Sequence, residues 1–318
     1  MARSRIGLAL GGGAARGWAH IGVLRALIQA GIVPDIVAGT SIGAVVGGCF
    51  SARRLDELEG FARDLTRRKV FGFLDVNLSG SGLIMGQRLV ERLATHLKDD
   101  QIENLPNRFV AVATELGTGH EIWLSRGSLV DAMRASYAIP GIFRPVRVDG
   151  RWLFDGALVN PVPVSICRAL GARYVIAVNL NADVTGRGTV IADRDATGDF
   201  VGNVALVPPP EPTPANGRGA RKLLQRQLFG DGESGPGIST VMIEAFNIVQ
   251  DRIARSRLAG DPPDVIINPR LAGVGLFDFH RADELIQLGV AAAQRQIPEL
   301  RRELAGLNAR EPARYEVA

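Results

Sequence analysis

A serine stands between two glycines in Gly39-Thr40-Ser41-Ile42-Gly43, directly after the apolar run Ile36-Val37-Ala38 and before the small residues Ala44-Val45-Val46. A G-x-S-x-G pentapeptide between a buried strand and a helix is the context of a nucleophile elbow. The sharp turn lifts the serine hydroxyl out of the backbone, and the flanking glycines Gly39 and Gly43 tolerate crowded dihedrals and close packing. The following helix directs its free N–H groups and positive dipole end at any oxyanion that develops there. Taken alone, the pentapeptide also fits a glycine-rich turn whose serine only caps a helix.

Two further stretches carry chemistry. Gly11-Gly12-Gly13-Ala14-Ala15-Arg16-Gly17 follows the apolar run Ile6–Leu10 and opens a helix, so several backbone N–H groups are free to hold an anion. It lacks the Gly-Lys-Ser/Thr of a P-loop. As a dinucleotide fingerprint it reads Gly12-x-Ala14-x-x-Gly17, with alanine in the middle position, and Asp35 precedes the second strand where an acid should follow it. An oxyanion hole fits better, because this loop and the serine would follow adjacent parallel strands and open on one sheet edge. Asp155-Gly156-Ala157 ends the short apolar run Trp152-Leu153-Phe154. An aspartate at a strand-to-turn junction with small neighbours is accessible and can closely approach another backbone. With an ordinary pKa near 3.9 it is a weak base, so direct activation of a serine needs short hydrogen bonds and strong oxyanion stabilisation. The four histidines, His20, His96, His120 and His280, each have a structural explanation. The order Ser41, Asp155, His280 matches an α/β-hydrolase triad, but that fold places its nucleophile later in the chain. Asp155 is the preferred base.

These residues need a parallel sheet to hold them. Ile6–Leu10 reads as a strand buried on both faces. From Trp18 a helix repeats apolar residues at Ile21, Leu24, Leu27 and Ile28 and stops at Gly31, and Ile36–Ala38 is the second strand. A β-α-β-α start argues for right-handed crossovers and helices on the sheet faces. Leu55, Leu58, Phe61 and Leu65 mark a helix, residues 70–85 are irregular, and Leu89, Leu93 and Leu97 mark another helix. Strands are expected at Phe109–Ala113, Glu121–Leu124, Trp152–Phe154, Tyr174–Val178 and Val265–Ile267. Helices are expected over Leu129–Tyr137, Pro163–Leu170, Ser239–Leu258 and Ala282–Leu304.

The three stretches, in this order and spacing, resemble the bacterial patatin-like phospholipases. Ser136-x-x-Ile139-Pro140-Gly141-x-Phe143-x-Pro145-Val146 and Asn160-Pro161-Val162-Pro163 add to the likeness, which is close over residues 5–181 and looser over 239–290, where it points to an uncharacterised bacterial subgroup. The resemblance implies a three-layer α/β/α fold with a mostly parallel central sheet, and a serine–aspartate dyad that hydrolyses acyl esters of lipids through an acyl-enzyme. It implies Ser41 as nucleophile, Asp155 as base, and Gly12, Gly13, Ala14 and Arg16 as the oxyanion loop, with Gly156 and Ala157 supporting the base. Ala14 stands where many members carry glycine, and Ala157 replaces the commoner second glycine. No cofactor and no metal is implied. A lipid-binding or regulatory module on the same fold, or an acyltransferase or thioesterase using the same dyad, are the alternatives.

Composition sets the bounds. The 318 residues, 46% hydrophobic and 22% charged, suit one large α/β domain, assigned to residues 5–290 with residues 291–318 as a C-terminal helix and tail. A net charge of +4 allows contact with an anionic membrane and does not argue for nucleic acid. Cys49 and Cys167, both in apolar surroundings, offer no disulfide framework. No apolar run reaches the length of a membrane span or a signal peptide, so the expected setting is cytoplasmic, with at most peripheral contact at the inner membrane face. Proline and glycine dominate an insertion at about 182–236. Its basic piece Arg218–Arg226 reads either as a membrane contact or as a solvated linker.

Overall fold

A computed structural model describes residues 5–66, 97, 99–182 and 238–309. The irregular stretch at 70–85, His96, the helix positions Leu89 and Leu93, nearly all of the insertion at 182–236 and its basic piece lie outside them. The chain forms two compact units, residues 1–184 with 249–318, and residues 185–248. The first unit is built on a sheet in the order β5-β6-β3-β2-β1-β7-β8, with β4 also paired to β3. Its strands are β1 (Ile6–Leu10), β2 (Ile36–Thr40), β3 (Arg108–Glu115), β4 (Glu121–Leu124), β5 (Val146–Val148), β6 (Arg151–Asp155), β7 (Tyr174–Val178) and β8 (Val265–Ile267). From β3 through β8 the neighbours run parallel, and β4, β5 and β6 are antiparallel additions at the β3 side.

Side-chain alternation along the central strands divides the core in two. Leu8, Leu10, Val37, Ile176 and Val178 belong to one buried cluster, shared with helices α1 (Trp18–Gln29), α2 (Ile42–Ser51), α3 (Leu55–Arg63), α4 (Leu129–Ser136) and α7 (Ala282–Ala309). Ala9, Ile36, Ala38, Val175 and Ala177 belong to the other, shared with α5 (Val164–Ala169) and with Ala254 of α6 (Ile238–Gly260). Helices on both faces of a mostly parallel sheet make the three-layer α/β fold expected from the β-α-β-α start. Such strands read as continuous apolar runs because both faces are covered.

Two elements differ from expectation. The strand β5 was not anticipated: Val146-Arg147-Val148 is three residues long, pairs with β6 and packs Val146 and Val148 against the core. The closing helix runs unbroken from Ala282 to Ala309. It extends five residues past the expected end at Leu304, and its Leu285, Ile286, Ala292, Ala293 and Leu300 enter the same core.

Candidate active site

The register of β3 brings the serine and the aspartate together. Val112 of β3 pairs with Thr40, the last residue of β2, and the next residue, Ala113, pairs with Asp155, the last residue of β6. Ser41 and Asp155 therefore leave their strands side by side. Ser41 Oγ donates to Asp155 Oδ2 at 2.6 Å, across 114 residues of chain. Asp155 Oδ1 accepts from the Ala157 N–H at 2.8 Å, so both carboxylate oxygens are engaged and neither meets a histidine. His280 belongs instead to the turn Phe279–Arg281, whose Phe279 carbonyl accepts from Trp18 Nε1 at the start of α1.

Ser41 occupies φ 56°, ψ −126°, a backbone conformation that costs a residue with a Cβ on the order of 1–3 kcal/mol. Three contacts hold it there. The Ser41 N–H donates to Ser136 Oγ at 2.9 Å, and Thr40 Oγ1 donates to the Asn160 carbonyl at 2.7 Å. The carbonyl of Ser41 accepts from Ala44 N, the first internal bond of α2. The elbow also depends on Gly43. A Cβ there would lie 2.6 Å from the Leu10 carbonyl carbon and 2.8 Å from Gly11 O. Because α2 can lie this close to β1, a helix containing Gly43, Gly47 and Gly48 forms despite poor intrinsic propensity. Ser136→Ala leaves the buried Ser41 N–H without an acceptor. The expected loss is about 1–2 kcal/mol of stability, read by urea unfolding, with a parallel fall in turnover; unchanged stability would show that the elbow needs no such tie.

Burial also changes the aspartate's chemistry. Asp155 is wholly inaccessible, and desolvation pushes its carboxyl up to about 7, against the opposing hydrogen bonds from Ser41 and Ala157. The sequence-based view of Asp155 as a weak base near 3.9 is thereby corrected: an apolar enclosure raises its proton affinity into the neutral range.

The glycine loop faces this pair. A Cβ on Gly12 would be 3.5 Å from both Ser41 Cβ and Ala157 Cβ, and 3.4 Å from Gln250 Oε1 of α6. Not every loop residue expected to donate is free to do so. Gly12 N–H is bound to Pro161 O at 3.0 Å and Arg16 N–H to Gly13 O at 3.1 Å. Among the described residues no acceptor takes the N–H groups of Gly13 and Ala14, the two that begin the turn Ala14–Gly17. Ala14 has φ 48°, a left-handed conformation that glycine adopts at lower cost.

Arg16 anchors the loop. Its side chain is buried, with Nε donating to Val274 O at 2.9 Å and a terminal nitrogen to Asn181 Oδ1 at 3.1 Å. Asn181 Nδ2 in turn reaches Gly12 O at 3.3 Å. Beneath the loop, His20 is fully buried and burial lowers its pKa to about 4, so the ring is neutral. It makes a 2.8 Å hydrogen bond with the Gly11 carbonyl, and because a carbonyl only accepts, Nε2 carries the proton. Sequence reasoning missed Ser136 and Asn181 as parts of this site. Ser136 carried one signal, as the first residue of the Ser-x-x-Ile-Pro-Gly stretch; Asn181 carried none.

Comparison with known proteins follows this geometry. A family model described as "Patatin-like phospholipase" matches residues 8–168. The chain is 34% identical over 330 residues to an uncharacterized NTE family protein of Mycobacterium tuberculosis, an alignment covering 91% of this chain and 90% of the relative. It is 33% identical over 198 residues to patatin-like phospholipase domain-containing protein 7 of Rattus norvegicus, covering 59% of this chain and 15% of that protein. Among solved structures, VipD from Legionella pneumophila is similar with a TM-score of 0.46 at 13% identity, covering 93% of this chain and 67% of that one.

Proposed function

Because the chain belongs to the patatin-like phospholipase family, we propose that it is a serine acyl hydrolase that cleaves carboxylic esters of lipids through Ser41 and Asp155. One observation carries this reading: Ser41 Oγ donates directly to the carboxylate of a buried aspartate at 2.6 Å, in a strained elbow at the head of a helix.

The steps follow from the positions of the groups. The ester carbonyl carbon lies over Ser41 Oγ, and its oxygen faces the N–H groups of Gly13 and Ala14. Asp155 Oδ2 takes the hydroxyl proton as the C–O bond forms. Negative charge moves to the carbonyl oxygen, where the two N–H donors and the N-terminal end of α2 stabilise it. Collapse of the tetrahedral intermediate expels the alcohol, which receives the proton from Asp155, and leaves an acyl-Ser41 ester. Water then gives its proton to Asp155 and attacks the acyl carbon. A second collapse releases the carboxylic acid as Asp155 returns that proton to the departing Ser41 Oγ, restoring the hydroxyl and the carboxylate. Each oxyanion donor contributes about 2.7–4 kcal/mol in comparable sites.

A fluorophosphonate probe tests the nucleophile. Native protein is expected to gain one covalent adduct on the peptide containing Ser41, with loss of hydrolysis of p-nitrophenyl butyrate and of phosphatidylcholine vesicles. Ser41→Ala should show neither adduct nor turnover. An unlabelled native protein, or full hydrolysis by Ser41→Ala, would overturn the assignment.

A further inference from the structure

The N-terminal edge of the sheet carries a second polar site. Arg5, Asp35 and Arg108 stand at the starts of β1, β2 and β3, whereas Gly11 and Ser41 follow the ends of β1 and β2. Helix α2 runs from the Ser41 elbow back to this edge, and its ten residues span about 15 Å. The cavity at its C-terminal end has a volume of about 530 Å³, within the range of small-molecule sites.

Three guanidiniums line it. Arg108 donates to Leu170 O at 3.1 Å, and an Arg5 terminal nitrogen is 3.6 Å from where a Cβ on Gly171 would lie, so both reach the same turn. Arg53 lines the cavity from the end of α2. None of the three makes an ion pair among the described residues. Asp35, the acid among the described lining residues, is tied to the fold: its Oδ2 accepts from Ile6 N at 2.8 Å. The lining thus keeps an excess of positive charge.

Two further observations bear on what this cavity can hold. The Ser51 hydroxyl, which can donate, is buried with no hydrogen-bond partner among the described residues, and Ser51 lines this cavity. A buried polar atom left without a partner costs about 1–3 kcal/mol, so such atoms are uncommon outside functional sites. Arg53 has φ 59°, in the left-handed turn after a helix that glycine normally occupies. The turn is closed by Arg53 N–H to Phe50 O at 3.0 Å and Arg54 N–H to Cys49 O at 2.7 Å, and it carries Arg53 to the cavity. Val33, Pro34, Phe50 and Pro106 supply apolar wall between the charged groups.

We propose that this cavity binds an anion attached to a short apolar body, of the alkyl carboxylate or alkyl phosphate class. The guanidiniums grip the anionic oxygens, the Ser51 hydroxyl donates at the polar end, and the apolar wall takes the chain. The site is separate from Ser41 and stands whether or not the chain hydrolyses esters.

Calorimetric titration of the full chain with decanoate, decyl phosphate, decanol and inorganic phosphate tests it. Decanoate or decyl phosphate is expected to bind saturably, with decanol and inorganic phosphate each weaker by about tenfold or more. Arg53→Gly removes the guanidinium and relieves the left-handed strain, so it should fold at least as well while weakening the anion by about tenfold or more. Arg53→Lys should recover part of the affinity. Failure of both amphiphiles to bind, equal binding of decanol, or undiminished binding to a folded Arg53→Gly protein would overturn the proposal. The last result would put the amphiphile at the catalytic edge instead.

Discussion

Ester hydrolysis by the native protein is expected to climb about tenfold per pH unit below about pH 6 and to level off above about pH 8, while Asp155→Asn loses about 10³-fold or more at every pH. The sign follows from the burial of Asp155. Desolvation pushes its carboxyl to about 7, so below that value the group is protonated and too weakly basic to take the Ser41 proton. As pH rises through 7 the carboxylate forms and kcat/KM reaches its plateau. The same shift acts on stability in the opposite direction. Unfolded, Asp155 returns to its ordinary value of 3.8, so between about pH 4 and pH 7 the folded protein holds a proton that the unfolded chain has released. Stability from this group is complete below about pH 4 and is lost as pH rises toward 7. Three pH units at about 1.4 kcal/mol each make the loss on the order of 4 kcal/mol. Urea unfolding at pH 5 and pH 8 should therefore find native protein weaker at pH 8, and Asp155→Asn nearly level between the two. A pH-independent kcat/KM near neutrality, or a fall with the opposite slope, would remove Asp155 as the base.

Gly289→Ala and Gly22→Ala are each expected to destabilise the protein by about 3 kcal/mol, among the largest effects of any single methyl group in this chain. Helices α1 and α7 meet backbone to backbone at these residues. A Cβ on Gly22 would fall 2.8 Å from both the Ile286 carbonyl carbon and Val290 N, and closer still to Ile286 O. One on Gly289 would lie 2.8 Å from the Ala19 carbonyl carbon, and closer to its oxygen. The obstructing atoms are helix backbone, which cannot swing aside as a side chain can, so the helices must separate. Separation would loosen Trp18, Leu24 and Leu285 together, all buried in the shared core. Denaturant unfolding measures the cost. A change under about 1 kcal/mol would mean that α7 accommodates the methyl by sliding along α1.

The strands with unbroken apolar runs, Ile6–Leu10, Tyr174–Val178 and Val265–Ile267, were legible to the residue, because burial on both faces leaves no polar interruption. β5 was not. Three residues give no periodicity, and pairing with β6 and packing of Val146 and Val148 on the core are tertiary contacts. Ser41 and Asp155 could be named because each sits in a turn whose glycines are required by local geometry. The distance between them could not be read, since it follows from the Val112–Ala113 step in β3. The loop donors illustrate the same limit. Gly12, Gly13, Ala14 and Arg16 look equivalent along the chain, yet Pro161 and Gly13 itself occupy two of the four N–H groups, and only tertiary structure tells which. Nor does an isolated sequence show that Asp155 is fully enclosed, which is what lifts its pKa. The triad suggested by the order Ser41, Asp155, His280 ends for a spatial reason as well, because the turn of His280 is bound to Trp18 at the head of α1.

The β3 register has a kinetic side. The glycine loop and Ser41 lie within the first 51 residues of the chain, but Asp155 comes 114 residues after the serine, on an antiparallel strand paired to β3, and the anchors Ser136, Asn160, Asn181 and Val274 are likewise distant in sequence. A contact of that sequence separation forms late, since a long loop must close before the pairing returns any energy. On the proposed function, a nascent chain emerging from the ribosome carries Ser41 without its partner, and activity waits on the pairing of β6 with β3. On refolding from urea, esterase recovery should lag behind the return of helical circular dichroism, and its rate should follow substitutions in the β3–β6 pairing.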